Sequence, residues 1–297
     1  MTFANINELP PLPARSPAFH KGDSGRVLVI AGSAGMTGAG ALASTACLRA
    51  GAGVVIWAIP RSLNPVCETL SMEVMTLPIP DTPSGAPSMD AREILVEAAR
   101  ETDCVILGPG LPVAGDTGEL MRLLIPEIYP PLIVDGGAFS AIGTDMMIIR
   151  KRQSPTILTP HPGEMGRITG KTAADIQAKR LDFAGKYAKL SGGIVALKGF
   201  ETIVANGKDV YTNRTGNPGM ATAGAGDTLC GIVAALVAQG LEPFPATKLA
   251  VFLHGLAGDL ATAEMGMHGV IASDIINHLP AAFKRYDALK REAREAR

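Results

Sequence analysis

The chain has 297 residues, 47% of them hydrophobic, 19% charged and only 4% aromatic. A core built from Ala, Val, Ile, Leu and Met among many glycines suits helices on a parallel sheet better than an aromatic-rich β-sandwich. The net charge of −1, with no basic block before the terminus, excludes nucleic acid as the main partner.

The ends and the thiols add to this. No apolar run approaches the roughly 18 residues of a membrane span, and the proline-marked N-terminus (Pro10, Pro11, Pro13) lacks the apolar segment of a signal peptide. Four scattered cysteines, Cys47, Cys67, Cys104 and Cys230, form no CxxC pair. They read as buried, reduced thiols of a cytoplasmic protein.

In chain order, residues 1–19 read as an extended lead-in. A turn at 20–25 follows, then a strand over 26–31 that runs into Gly32-Ser-Ala-Gly-Met-Thr-Gly38 and a small-residue helix over 39–50. The glycine spacing is GxxGxxG, and the next strand, 54–59, ends in Pro60-Arg61 without an acid for a ribose, so a dinucleotide fingerprint is rejected. Residues 78–89, rich in Pro, Gly and Ser, are predicted to be a surface loop. Beyond them come a helix over 90–101, a strand over 103–107 ending in Gly108-Pro-Gly110, a helix over 117–124 and a strand from 132 ending in Asp135-Gly136. Glycines at the carboxyl ends of successive buried strands mark the edge where open α/β sheets bind ligands. Asp135 is either a site acid or a turn former, and the turn is favoured.

A strand over 156–159 runs into Pro160-His-Pro-Gly-Glu164, where two prolines stiffen the backbone around His161. The ring is thereby held at a strand end, in either a packing or a functional role. Gly170-Lys-Thr172 misses the phosphate-loop pattern, because Met165 stands where the first glycine belongs. One helix over 173–190, a strand over 194–197, the turn Lys198-Gly-Phe-Glu-Thr202 and a hairpin over 203–212 with Asn206-Gly207 at its tip come next. The last helices are expected over 246–264, carrying His254-Gly-Leu-Ala-Gly-Asp259, and over 272–284, followed by a solvated charged end.

Between the hairpin and these helices lies Thr215-Gly-Asn-Pro-Gly-Met-Ala-Thr-Ala-Gly-Ala-Gly-Asp227, followed at once by an apolar helical run over 228–239. Glycines let backbone amides approach an anion, and a helix N-terminus adds about half a positive charge. A phosphate suits this place, with Asp227 beside it. The alternative is an aspartate that only complements the helix dipole. The five histidines show no paired spacing that would signal a metal site.

The ordered set His20-Lys-Gly, Ala31-Gly-Ser with Gly38-Ala39, Gly108-Pro-Gly110, Leu158-Thr-Pro-His-Pro-Gly-Glu164, Leu197-Lys-Gly-xx-Thr202, Asn217-Pro-Gly-Met-Ala, Gly224-Ala-Gly-Asp227 and His254-Gly-xx-Gly-Asp259 resembles the ADP-dependent NAD(P)H-hydrate dehydratase family of the ribokinase-like superfamily. The resemblance covers about residues 20–285, and with no room for a fused epimerase it is to the stand-alone form. It implies one α/β/α three-layer domain over 20–285 with a central, mostly parallel sheet, a lead-in over 1–19 and a charged helix end over 286–297. It also implies repair of the C6-hydrated nicotinamide of NADHX or NADPHX (S epimer), with ADP as phosphoryl donor and Mg²⁺, whose ligands the spacing does not identify.

By that resemblance Asp227 is the catalytic base, and Ala39, Gly110 and His161 line the hydrate pocket with it. Lys198, Gly199, Phe200, Glu201, Thr202 and Gly226 hold the adenine nucleotide, and Ala223, Gly224, Ala225 and Gly226 form the anion hole. Lys21 and Asn217 are possible phosphate and loop-ordering contacts. Relatives often carry Gly at the Ala223 position, so Ala223 fits only where no positive φ is needed. A homo-oligomer, commonly a tetramer, is expected. The rival readings are a small-molecule kinase that retains its phosphorylated product and a non-catalytic adenine-nucleotide sensor.

Overall fold

A computed structural model describes residues 6–18, 20–113 and 115–295. Residues 1–5 and Phe19 of the expected lead-in, and the last two residues of the charged end, lie outside the described residues. Among the described residues, nine strands form one sheet: β1 (Arg26–Ile30), β2 (Val54–Pro60), β3 (Met75–Ile79), β4 (Cys104–Leu107), β5 (Leu132–Val134), β6 (Thr156–Leu158), β7 (Ile194–Leu197), β8 (Ile203–Ala205) and β9 (Val210–Thr212). Their order is β3-β2-β1-β4-β5-β6-β7-β8-β9. All pairs up to β7 are parallel, and β8 and β9 close one edge as an antiparallel hairpin. The expected mostly parallel sheet is therefore observed.

Among the described residues, twelve α-helices connect or cover the strands: α1 (Thr37–Arg49), α2 (Asn64–Cys67), α3 (Arg92–Arg100), α4 (Gly115–Glu127), α5 (Gly137–Ile142), α6 (Met147–Arg150), α7 (Pro162–Thr169), α8 (Ala173–Ala178), α9 (Arg180–Ser191), α10 (Ala225–Ala238), α11 (Pro243–Met265) and α12 (Ala272–Glu295). Successive side chains of a strand point to opposite faces, and the two cores follow from that alternation. Val27, Val29, Trp57, Ile106 and Ile133 face α1, α10, α11 and α12. Leu28, Ile30, Val105, Leu107 and Val134 face α3, α4, α5, α7 and α9. With both faces covered, the parallel strands other than the edge strand β3 are buried along nearly their whole length.

The small-residue composition has a packing reason. A side chain at Gly40 would run into the Trp57 indole at 2.3 Å, and one at Gly231 would meet the Ala43 carbonyl at 2.3 Å. Helices α1 and α10 thus lie close to the sheet and to each other because bulk is missing there.

Several expectations shift. Strand β3 was not foreseen, and it takes the first two residues of the predicted loop; Pro78 is tolerated because β3 is an edge strand. The helix predicted over 173–190 is two, broken at Lys179, whose φ of −137° is not helical. Helix α7 was read as a stiff turn, although Pro162 stands at its start and Gly170 ends it in the left-handed conformation. Helix α12 runs unbroken past residue 285, burying Tyr286 and Leu289. Its Tyr286 hydroxyl and Lys290 ammonium donate to carbonyls of Pro10, Ile6 and Leu9, which fastens the lead-in to it.

Candidate active site

The sheet order reverses between β1 and β4, and a crevice opens at the carboxyl ends of strands beside such a point. The loops after β1 and β4 meet there: the Ser33 hydroxyl donates to the Gly110 carbonyl at 2.8 Å. A side chain on Gly110 would meet the Met36 carbonyl at 2.7 Å and the Ala39 methyl at 2.9 Å. Ala39 and Gly110, both expected in the hydrate pocket, therefore pack against each other, and both must be small. Gly108 in turn lies against the backbone of Asp135 at the end of β5.

Helix α10 begins at the same edge. Gly224 precedes it at a φ of 89°, and no side chain caps it. Among the described residues, the amides of Ala223, Gly224, Gly226 and Asp227 have no partner within the chain. They are the unpaired donors of a helix N-terminus, arranged for an anion. Ala223 does not take a positive φ, so alanine fits there without strain. Asp227 stands in the first turn of α10. Burial, reinforced by the Asp135 carboxylate and opposed by the Lys198 ammonium, raises its carboxyl to about 7. An aspartate placed only to complement a dipole would be stabilised as the anion. This one is held close to the pH at which a base both accepts and releases protons.

Lys198 leaves β7 and joins the elements. Its ammonium lies 2.6 Å from Asp135 Oδ1 and 3.6 Å from Glu164 Oε2. Burial presses it towards the neutral form, but the Asp135 and Glu164 carboxylates outweigh that, and the ammonium is held well above its ordinary value. Asp135 also accepts from the Thr159 hydroxyl at 2.8 Å and is 2% exposed. Asp135 does open a turn, its carbonyl accepting from the Ala138 amide at 3.2 Å, but its side chain also anchors the lysine from inside the sheet edge. A side chain at Gly226 would come within 2.9 Å of Lys198 Nζ, which places the lysine directly against the amide cradle.

His161 caps α7. Its Nδ1 accepts from the amides of Gly163 at 3.0 Å and Glu164 at 3.3 Å, while its own amide donates to Glu164 Oε2 at 2.8 Å. With Nδ1 occupied as an acceptor, the neutral ring carries its proton on Nε2. That nitrogen lies 3.5 Å from Glu164 Oε1. Burial and Lys198 lower the imidazole, so the neutral form prevails. Burial also pushes Glu164 up from the usual carboxylate range.

On the other side of Lys198 a cavity of about 580 Å³ is lined by Lys198, Gly199, Phe200, Glu201, Thr202, Asn217 and Gly226, together with residues of the 213–221 loop and α11. Every residue expected to hold the nucleotide is in this lining. Phe200 is 79% exposed at the rim, an aromatic face free to stack on a base. Glu201, with φ 52°, is the only described non-glycine residue in the left-handed region. Asn217 orders the loop: its amide donates to Asp259 and Thr262, each at 2.8 Å, and its oxygen accepts from Gly219 at 2.9 Å.

Lys21 does not belong to this group. It precedes β1, and its carbonyl packs on Gly53 where the chain enters β2, at the opposite, amino edge of the sheet. Sequence reasoning gave Glu164 no role of its own and set a site role for Asp135 second to the turn; the signal for both was position, the third residue after a capping histidine and the carboxyl end of a buried strand. For Mg²⁺, no group of three or more His, Cys, Asp or Glu is gathered among the described residues, and Asp135 and Glu164 are turned to Lys198. The donor set offers no complete cage. It leaves Mg²⁺ the role it usually takes, bound through phosphate oxygens with one or two carboxylates nearby.

Comparison with known proteins agrees with this geometry. Residues 27–281 match the family described as NAD(P)H-hydrate dehydratase. The chain is 45% identical over 93% of its length to the bifunctional NAD(P)H-hydrate repair enzyme Nnr of Moorella thermoacetica, and spans 52% of that protein. It thus covers about half the length of the first curated relatives it matches. It is 33% identical to the ADP-dependent (S)-NAD(P)H-hydrate dehydratase of Xanthomonas campestris, covering 93% of both chains. The crystal structure of the ADP/ATP-dependent NAD(P)H-hydrate dehydratase of Bacillus subtilis, co-crystallized with ATP/Mg²⁺, superposes with a TM-score of 0.79 at 30% identity, covering 95% of this chain and 96% of that one. The ribokinase-like architecture is shared with these neighbours. A carboxylate beside an open amide cradle, a lysine clamped between two acids, and a match running through nearly every strand lead to one assignment: the chain belongs to the NAD(P)H-hydrate dehydratase family.

Proposed function

We propose that this chain carries out ADP-dependent dehydration of (S)-NADHX and (S)-NADPHX, restoring NADH and NADPH with release of AMP and phosphate. The hydroxyl on ring carbon 6 of the hydrate is a poor leaving group. Asp227 takes its proton as the oxygen attacks the terminal phosphorus of ADP; the new O–P bond forms, the bond to AMP breaks, and AMP departs. The ring nitrogen lone pair then expels phosphate, and loss of a proton from the neighbouring ring carbon restores the dihydronicotinamide. The amides of Ala223, Gly224 and Gly226 and the dipole of α10 stabilise charge on the transferred group, the main task in phosphoryl transfer; the Ala225 amide, expected among them, is instead bonded to the Thr222 carbonyl at 3.4 Å. Mg²⁺ travels with the nucleotide phosphates and offsets their charge.

Lys198, Gly199, Phe200, Glu201, Thr202 and Gly226 hold the nucleotide, while Ala39, Gly110 and His161 face the hydrate. His161, with its proton on Nε2, serves as a donor to the hydrate and leaves proton removal to Asp227. The single observation that carries the reading is the raised, half-buried Asp227 carboxylate adjoining four amides unpaired within the chain. Incubation of the hydrate with ADP or ATP tests it: the reduced-nicotinamide absorbance returns and AMP or ADP forms in step. A flat absorbance with a phosphorylated product would support the kinase reading instead.

The four cysteines are free and buried, in keeping with a reducing cytoplasmic setting, and no helix among the described residues is long and apolar enough to cross a membrane. Assembly as a homo-oligomer, with a tetramer expected, is supported by exposed Val66, Leu70, Met72 and Met75 around α2 and the edge strand β3. Sedimentation equilibrium reads the assembly directly.

A further inference from the structure

The wall of the cavity formed by α11 and the 213–217 loop is polar, and nearly all of its polar groups are satisfied by the chain. The Asn213 amide donates to Val251 and Thr215 carbonyls at 3.1 Å, and the Thr215 hydroxyl donates to the Phe252 carbonyl at 2.8 Å. Asp259 accepts from the Gly216 amide at 2.9 Å and from Asn217 at 2.8 Å. His254 differs. It is a lining residue of the cavity, yet its Nε2 is sealed from solvent with no hydrogen-bond partner. Three other described residues, Ser44, Asn64 and Ser88, have such an atom, and none of them lines the cavity.

The imidazole is uncharged at neutral pH. Burial lowers it to about 4, a bond to the Ala225 backbone opposes that, and the Lys198 ammonium adds to the lowering. A neutral ring is at once a donor and an acceptor. Its neighbours Val251, Phe252, Leu253 and Leu256 are buried and apolar, so a leucine at 254 would suit the helix and remove the cost of an unmade hydrogen bond. Buried polar atoms without a partner are few in folded proteins, and each calls for a specific cause.

We infer that His254 is a further contact of the adenine nucleotide, its neutral imidazole pairing with a polar group of the bound molecule, directly or through one water. The inference rests on the reading of the cavity as a nucleotide site. A turn of the ring about χ2, a soft torsion, presents a ring nitrogen to the cavity it already lines. The contact lies next to Ala225 and Lys198, so it couples the nucleotide to the first turn of α10.

Calorimetric titration with ADP of the wild type, His254→Leu and His254→Gln tests this together with the melting temperature of each empty protein. His254→Leu weakens ADP binding about tenfold, the range expected for one lost hydrogen bond, without lowering the melting temperature. The KM for the hydrate is unchanged, and His254→Gln recovers part of the affinity. Equal ADP affinity in His254→Leu, with a higher melting temperature, would overturn the inference and leave His254 an ordinary core residue. Failure of the wild type to bind ADP would instead overturn the nucleotide reading of the cavity. Should His254→Leu not fold, imidazole ¹⁵N–¹H spectra of the wild type decide: the His254 signals shift on addition of ADP, and unmoved signals would refute the contact.

Discussion

Lys198 and Asp135 form a buried ion pair, Nζ to Oδ1 at 2.6 Å, that joins the carboxyl ends of β7 and β5. With Glu164 at 3.6 Å on another side and Gly226 against its tip, the lysine is a fixed cation. A phosphate entering the cradle meets a charge already in place and incurs little cost of ordering it.

Removing one partner of such a pair leaves a buried charge poorly compensated, which typically costs about 3–5 kcal/mol. Asp135→Asn is therefore expected to lower unfolding stability by that amount in urea titration and to weaken nucleotide binding. Asp135→Asn combined with Lys198→Met regains part of the stability, because neither member of the pair is left buried without the other and Glu164, which burial already pushes up, takes a proton once the ammonium is gone. Nucleotide affinity stays lost in the double variant, which separates the two effects.

Asp227→Asn keeps the shape of the first turn of α10 and removes the base. The rate of hydrate dehydration should fall by about 10²–10⁴, read from the return of reduced-nicotinamide absorbance, with nucleotide binding retained in calorimetry.

The same carboxyl sets two opposite pH trends. Its folded value of about 7 lies above the ordinary 3.8, so the base is ionised and the rate climbs as pH rises through about 7. Between those two values the folded state binds the extra proton, so stability declines with rising pH across that window and the loss is complete above it. The stabilising effect of Asp227→Asn is accordingly expected to grow from about pH 4 to about pH 7 and then level off, in urea titrations at several pH values.

Gly226→Ala places a methyl 2.9 Å from Lys198 Nζ. A free lysine end would give way, but Asp135 holds this one, so the lysine or the cradle must shift. ADP affinity should fall about tenfold or more, equivalent to about 1.4 kcal/mol. Thermal stability changes little, because alanine is favourable in a helix.

Glu201 occupies the left-handed region at φ 52°, which costs a non-glycine residue about 1–2 kcal/mol. Glu201→Gly relieves this but gives the unfolded chain more freedom, so a net gain of about 0.5–1 kcal/mol is expected. The loosened turn should then hold ADP less well, a trade of stability against preorganisation that melting and calorimetry together reveal.

Much of this was legible in the sequence. Apolar runs ending in glycine gave the parallel strands, and Asn206-Gly207 gave the hairpin. The glycine-rich approach to Asp227 gave the cradle, because those signals are local. What was not legible depends on contacts across the chain. Asp135 reads as a turn former until Lys198, 63 residues later, is seen bonded to it. Strand β3 hides behind Pro78, which is excluded from a central strand but accepted at an edge. His161 looked like a stiffened ring at a strand end. Its role as the cap of α7, and with it the position of its proton, follows from amides that exist only once that helix forms. Lys21 misled because a motif shared along a chain says nothing about which end of the sheet it reaches.

The outermost strand, β9, leads straight into a wall of the cavity, for Asn213 and Thr215 follow it and both are lining residues. This margin of the sheet is thus also a jaw. A guest gripped there would rivet that margin to the interior, so amide exchange along β8 and β9 should slow more than anywhere on the distant flank at β3, even though no part of the backbone needs to change course.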